Sequence, residues 1–209
     1  KTNIVWLKRD LRLTDHTPLY EATCRDEQFL VLFIYEPSLI NDSHTDERHW
    51  RFIQQSLSDI EKILAKQNKQ ISIACGEADQ IFSELTNQYE IKNIFSHEET
   101  GLKLTYERDK KLKIFFNAKK IQWYEYQTNA VIRGLNNRKT WEKQWDKVMR
   151  DGIKPINLAN ANIVFHPFPN SVIPKFGNDI NHQVGGCFAA QNEMNDFFEV
   201  RGQDYFKFI

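Results

Sequence analysis

The chain has 209 residues, 41% hydrophobic and 27% charged, the composition of a soluble globular protein with one good-sized core and a tail. Lys plus Arg and Asp plus Glu both number 28, so the chain as a whole has no basic excess with which to grip a nucleic acid. No apolar run approaches the roughly eighteen residues of a membrane span, and the opening KTNIVWLKRDLR reads as a charged strand rather than a signal peptide, so a cytoplasmic address is expected.

Apolar runs of strand length, rich in β-formers, occur at Ile4 to Leu7, Phe29 to Tyr35, Gln70 to Ala74, Lys92 to Ser96 and Ile121 to Tyr126. Between them, Trp50, Ile53, Leu57, Ile60 and Leu64 recur at helical steps, as do Ile81, Phe82, Leu85 and Tyr89. Strand alternating with helix predicts a doubly wound α/β fold, a five-stranded parallel sheet of Rossmann-like type. Ligands in such sheets sit beyond the strand C-termini, which points to Lys8 to Asp15, Tyr35 to Leu39 and His97 to Gly101. The first turn, KRDLRLTDH, lacks the glycines that let a backbone approach a pyrophosphate, so a dinucleotide site of the NAD kind is not expected.

After Tyr126 the pattern changes. A helix around Trp141, Trp145 and Val148 leads into a stretch with prolines at 155, 167, 169 and 174, read as a connector over the surface. A last helical pattern begins near Gly186, with Ala190, Met194, Phe197 and Phe198 on one face, and runs to an apolar end at Ile209 that wants a partner. Cys24, Cys75 and Cys187 form no C-x-x-C pair, so neither a disulfide framework nor a zinc site is expected and they read as small core residues. The histidines are scattered, His44 and His49 lack the i,i+4 spacing of a zinc helix, and all read as solvated or capping.

Three segments carry a resemblance. NIVWLKRDLRLTDHTPL is similar to the WFRRDLRLxDNxAL opening of photolyases and cryptochromes; SHEETGLKLTYERD ends in the R-D pair, here Arg108 and Asp109, that opens a helix in that family; and GGCFAAQNEMNDFFEVRGQDY resembles its GGE-x-x-A-x-x-x-L-x-x-F junction, with Cys187 for Glu and Met194 for Leu. The chain is thus identified as resembling the N-terminal antenna domain of the photolyase/cryptochrome family. The resemblance implies residues 1–130 as the α/β antenna domain, 131–184 as an interdomain linker with one helix, and 185–209 as the start of a helical FAD-binding domain. It also implies, for the full-length protein, a deoxyribodipyrimidine photo-lyase. In such an enzyme FAD, bound outside this stretch, splits cyclobutane pyrimidine dimers in damaged DNA, while the fragment alone is inactive.

In that setting the antenna chromophore is a folate, a deazaflavin or FMN. Its expected site is Arg9, Asp10, Arg12, Phe33, Tyr35, Glu36, Glu98 and Glu99. Several antenna-binding members place a carboxylate before the R-D pair where this chain has Leu102 or Thr105, so Glu98 and Glu99 are the acids left to supply that role. No catalytic or metal-binding residue is implied. Beside these readings stand plainer ones: Arg9, Asp10, Arg12 and Asp15 as a salt-bridged lock on the first loop, Phe33 and Tyr35 as core, Thr100 or Thr105 as a helix cap, and Trp141 with Trp145 as a packing stripe without redox role. The partners implied are the protein's own helical domain and, through it, damaged DNA, with no membrane and a monomeric state. A cryptochrome photoreceptor and a stand-alone nucleotide-binding α/β protein are the alternatives.

Overall fold

The computed structural model describes residues 1–129, 131–177 and 182–207. Strands β1 (Thr2–Leu7), β2 (Phe29–Tyr35), β3 (Ser72–Cys75), β4 (Ile91–His97) and β5 (Gln122–Tyr126) form a parallel sheet in the order β3-β2-β1-β4-β5. The crossovers are α1 (Thr17–Thr23), α3 (Glu47–Ala65) preceded by the single turn α2 (Pro37–Ile40), α4 (Ala78–Gln88) and α5 (Lys103–Ala118). The doubly wound parallel fold expected from the alternation is the fold observed. Every residue of β1 and β2 is buried, as central parallel strands covered on both faces must be.

The period of two decides which helix each side chain meets. Ile4, Trp6, Leu30, Leu32 and Ile94 point to one face, against Phe82 and Leu85 of α4 and Leu112 and Phe116 of α5. Val5, Leu7, Val31, Phe33 and Phe95 point to the other, against Leu19 of α1 and Trp50, Leu57, Ile60 and Leu64 of α3. Phe82 and Phe116 meet edge to face at 4.9 Å, and truncating either to Ala costs about 3–5 kcal/mol. The chain steps outward from β1 to β3, then returns to place β4 beside β1. The loops leaving β1 and β4 therefore diverge and leave a crevice at the carboxyl edge.

The return segment is built differently. After α6 (Trp141–Met149), the two-residue strand β6 (Ile163–Val164) pairs with the start of β2, on the flank that the short β3 leaves free. Side chains of the α/β body then receive the strap's backbone. His166 N–H donates to Ser72 Oγ (2.9 Å), Phe176 N–H to Gln54 Oε1 (3.2 Å) and Gly185 N–H to Gln55 Oε1 (2.7 Å). A Cβ at Gly185 would lie 2.1 Å from the carbonyl oxygen of Phe52, so this crossing of α3 requires glycine. Helix α7 (Cys187–Asp196) follows, then a π turn at Phe197–Arg201 and a 3-10 turn at Tyr205–Lys207. The apolar end at Ile209 lies outside the described residues.

Several local expectations are corrected. Cys24 and Cys187 are exposed and Cys75 half-buried, so the cysteines are not core residues; the apolar positions of strands and helices already fill the core. Helix α1 is capped by His16, whose Nδ1 accepts the Leu19 N–H, with Pro18 in its first turn. Neither Thr100 nor Thr105 caps α5, whose N-cap is Leu102; the Thr105 hydroxyl turns back to the Leu102 carbonyl. His49 does complete a capping box with Asp46 at the start of α3, but His97 and His166 are buried.

Candidate functional site: a charged crevice at the carboxyl edge

The loop after β1 is tied down by one carboxylate. Asp10 Oδ1 accepts the backbone N–H of Lys8 (2.7 Å), and Oδ2 accepts His16 Nε2–H (2.6 Å) and His97 Nδ1–H (2.5 Å). Because His16 Nδ1 accepts the Leu19 N–H, its hydrogen bond to Asp10 is donated from Nε2. Burial opposes the charge on Asp10, but the hydrogen bonds from His16 and His97, with their electrostatic pull, win and hold its carboxyl well below the usual range. The ligand atoms of Asp10, His16 and His97 come within 4.8 Å of one another, and the contacts are those of charge-assisted hydrogen bonds. The node joins the β1 loop, the start of α1 and the end of β4.

A second cluster lies beside it. Lys8 Nζ donates to Asp109 Oδ2 (3.0 Å), Arg108 Nε to Asp109 Oδ1 (2.9 Å), and Arg108 Nη1 to Glu36. Arg9 reaches Glu99 (3.5 Å), where a Cβ at Gly101 would sit 2.8 Å from the Arg9 guanidinium, a close approach the glycine permits. Burial pushes Glu36 up to about 7 against the pull of Arg108, and it lowers Lys8 against the pull of Asp109. So many charges with so little water around them hold one another in place, and removing one partner leaves another stranded.

Over this edge opens a cavity of about 850 Å³. Its apolar wall includes Trp6, Phe33, Trp50 and Ile53, and α7 closes one side through Cys187 and Ala190. Its charged wall holds six cations, Lys8, Arg9, Arg12, Arg48, Arg51 and Arg108, and three carboxylates, Asp10, Glu36 and Glu99, a surplus of three positive charges. Arg12 is anchored through its Nε and Nη2 to the carbonyl of Asp15 (3.2 and 2.9 Å), and Arg51 reaches the carbonyl of Gln183 (3.4 Å). The chemistry of such a wall suits a flat conjugated ring carrying an anionic tail.

Of the eight residues expected from the sequence, the structure brings six to the cavity wall: Arg9, Asp10, Arg12, Phe33, Glu36 and Glu99. Tyr35 instead packs against Trp50 (6.0 Å) and Phe176 (6.2 Å), on the α3 side of the sheet. Glu98 pairs with Arg133 (3.2 Å) outside the cavity. Leu102 and Thr105, where the family resemblance looked for a carboxylate, do stand in the wall. The residues the sequence did not point to are those of α3, Arg48 to Ile53, and His16, whose ring binds Asp10 beside that of His97. His16 carried a signal, since it stands directly before the apolar start of α1.

Residues 3–140 match the family DNA photolyase. The chain is 30% identical to a Cryptochrome DASH of Synechocystis sp., over 98% of this chain and 45% of that protein. In structure it is similar to a cryptochrome of Synechocystis sp., with a TM-score of 0.73 at 20% identity, over 99% of this chain and 48% of that one. It is also similar to an archaeal photolyase from Sulfolobus tokodaii with two FAD molecules, with a TM-score of 0.64 at 21% identity, over 82% of this chain and 40% of that one. The chain thus spans less than half the length of each of these relatives.

Proposed function

The chain belongs to the DNA photolyase family, and from that membership we propose that it is the light-harvesting part of a light-driven flavoprotein, with the crevice at the sheet's carboxyl edge as the seat of an antenna chromophore. The observation that carries this reading is the cavity of about 850 Å³ with its cationic, partly aromatic wall, of a size usual for cofactor sites. The Sulfolobus photolyase has two FAD molecules, with the implication of a novel light-harvesting cofactor, which supports a second chromophore in proteins of this shape.

When bound, the chromophore supplies absorption of light and passes its excitation on. This chain's residues do the rest. Trp6 and Phe33 offer the ring an apolar wall, Arg9, Arg12 and Arg48 meet the anionic tail, and α7 with Gln183 screens the ring from water. Buried Glu36, near neutrality in its ionisation, offers a hydrogen bond to a ring nitrogen or carbonyl. FMN fits this donor set best of the three expected chromophores, because a phosphate answers the surplus of guanidinium groups. Residues 1–130 act as the antenna domain, 131–184 as linker and 185–209 as the beginning of the FAD-binding helical domain. That domain carries the chemistry on damaged DNA, splitting cyclobutane pyrimidine dimers, and the α/β part by itself catalyses nothing.

A second reading is a cryptochrome photoreceptor without repair activity, favoured by the likeness to a Cryptochrome DASH. One set of measurements separates them. Full-length protein is expected to bind FMN, show transfer of excitation from FMN to FAD, and repair a dimer-containing oligonucleotide only in light. Bound flavin without repair selects the photoreceptor; absence of any bound flavin rejects both.

A further inference from the structure

Trp6 stands in the cavity wall with two cations against its ring. Lys8 Nζ lies 4.5 Å and Arg108 Cζ 4.7 Å from the ring centroid, and the indole is buried to 1% exposure. Lys8 also lies 5.1 Å from the ring of Trp123, which is 6.2 Å from Trp6 and donates its indole N–H to Ser96 Oγ (3.0 Å). Neither cation is free to swing away: Asp109 holds Lys8, and Glu36 and Asp109 hold Arg108. The carboxylates fix the positive groups, whose charged ends lie over the ring.

An indole beside an excited conjugated ring is an electron donor. One electron leaves the tryptophan, which becomes a radical cation, and reduces the excited ring; the electron then returns, and the excitation is lost as heat. A protein that passes excitation onward has to prevent this loss, yet here a tryptophan lines the cavity. Positive charge already at the ring face opposes the formation of more positive charge on the indole, and burial leaves that repulsion weakly screened.

We propose that Lys8 and Arg108 guard Trp6, suppressing electron donation from its indole to a chromophore in the cavity and so preserving the excitation. The inference rests on the antenna reading. Lys8 and Arg108 are positioning residues that act through Trp6. Removing the charge is expected to matter, and removing Trp6 as well is expected to abolish the effect.

The probe is FMN bound to the wild-type chain and to Lys8→Met, Lys8→Arg and the Lys8→Met/Trp6→Phe pair, with binding followed by anisotropy and quenching by fluorescence lifetime. K8M is expected to shorten the FMN lifetime about tenfold, K8R to preserve it, and the double variant to restore it. FMN bound to K8M with an unchanged lifetime overturns the inference and leaves the antenna reading standing. No binding of FMN to the wild-type chain overturns both for flavins. Should K8M fail to fold, transient absorption of the FMN-loaded wild-type chain decides: no tryptophan radical band supports the guard, and a radical band formed within the FMN lifetime overturns it.

Discussion

The α/β body and the segment that follows it obey different rules. In the body, both faces of the sheet are closed by helices of the same stretch of chain, and even the charges at its carboxyl edge are paired and mostly buried. Among the described residues of 131–207, most large apolar side chains are exposed, including Trp141, Met149, Ile153, Phe188, Met194 and Phe198. That stretch is held by backbone hydrogen bonds to side chains of α3 and β3 and by Ala161, Ile163, Phe168 and Phe176, which pack onto the core of the body. In the body, the large apolar side chains left exposed among the described residues are fewer: Phe52, Leu104, Tyr106 and Ile114.

Substitutions ought to separate the two regions. The largest effect is expected at the Asp10 node: Asp10→Ala strands the Lys8 N–H and two buried imidazoles and destabilises the body by about 3–5 kcal/mol in urea unfolding. An effect below 1 kcal/mol would mean that the node is not what closes the β1 loop.

Glu36 sharpens the contrast through pH. Its carboxyl titrates near 7 in the folded chain against a usual value of 4.5, so the folded state binds the proton more tightly than the unfolded one. Its contribution to stability is therefore full below about pH 4.5 and is lost as pH rises through about 7, a change of about 3 kcal/mol at most. Glu36→Gln is expected to remove that part of the slope in melting curves between pH 5 and 8, and an unaltered slope would assign it elsewhere. Asp10 works in the opposite sense: its lowered value gives stability present above the ordinary carboxylate range and lost only at strong acidity.

Gly185→Ala tests the strap alone. With a Cβ 2.1 Å from the Phe52 oxygen the crossing has to shift, at a cost of about 1–3 kcal/mol that falls on the junction. Hydrogen exchange should quicken in residues 182–196 while β1, β2 and β4 stay protected; uniform loss across the sheet would show that strap and body are one cooperative unit. The smallest effect belongs to Phe198→Ser, at a side chain 73% exposed, where the unfolding free energy should move by no more than about 0.5 kcal/mol.

The elements of the body were legible because their signals are local and repeated. Runs of β-formers gave β1, β2 and β4 nearly to the residue, and the steps of three and four gave α3 and α4. The turn α2 and the two-residue β6 left no such pattern: β6 is a strand only because β2 offers an open edge there. That Arg9, Asp10, Arg12, Glu36 and Glu99 would share one wall was legible, since the carboxyl ends of β1, β2 and β4 converge in any doubly wound sheet. Tyr35 shares its face of β2 with Phe33 but lies one pleat repeat further on, where Trp50 and Phe176 pack against it and it does not line the cavity.

What the sequence determined by itself is the alternation of strand and helix, the gathering of charged residues at the carboxyl edge and, through three motifs, the family. Only the tertiary structure decided which charges touch. His97 meets Asp10 across 87 positions and Arg108 meets Glu36 across 72, contacts set by strand order and register, which no local pattern encodes. Burial, and with it the pairing and ionisation of these groups, is a property of the packed sheet edge and not of the residues taken one by one.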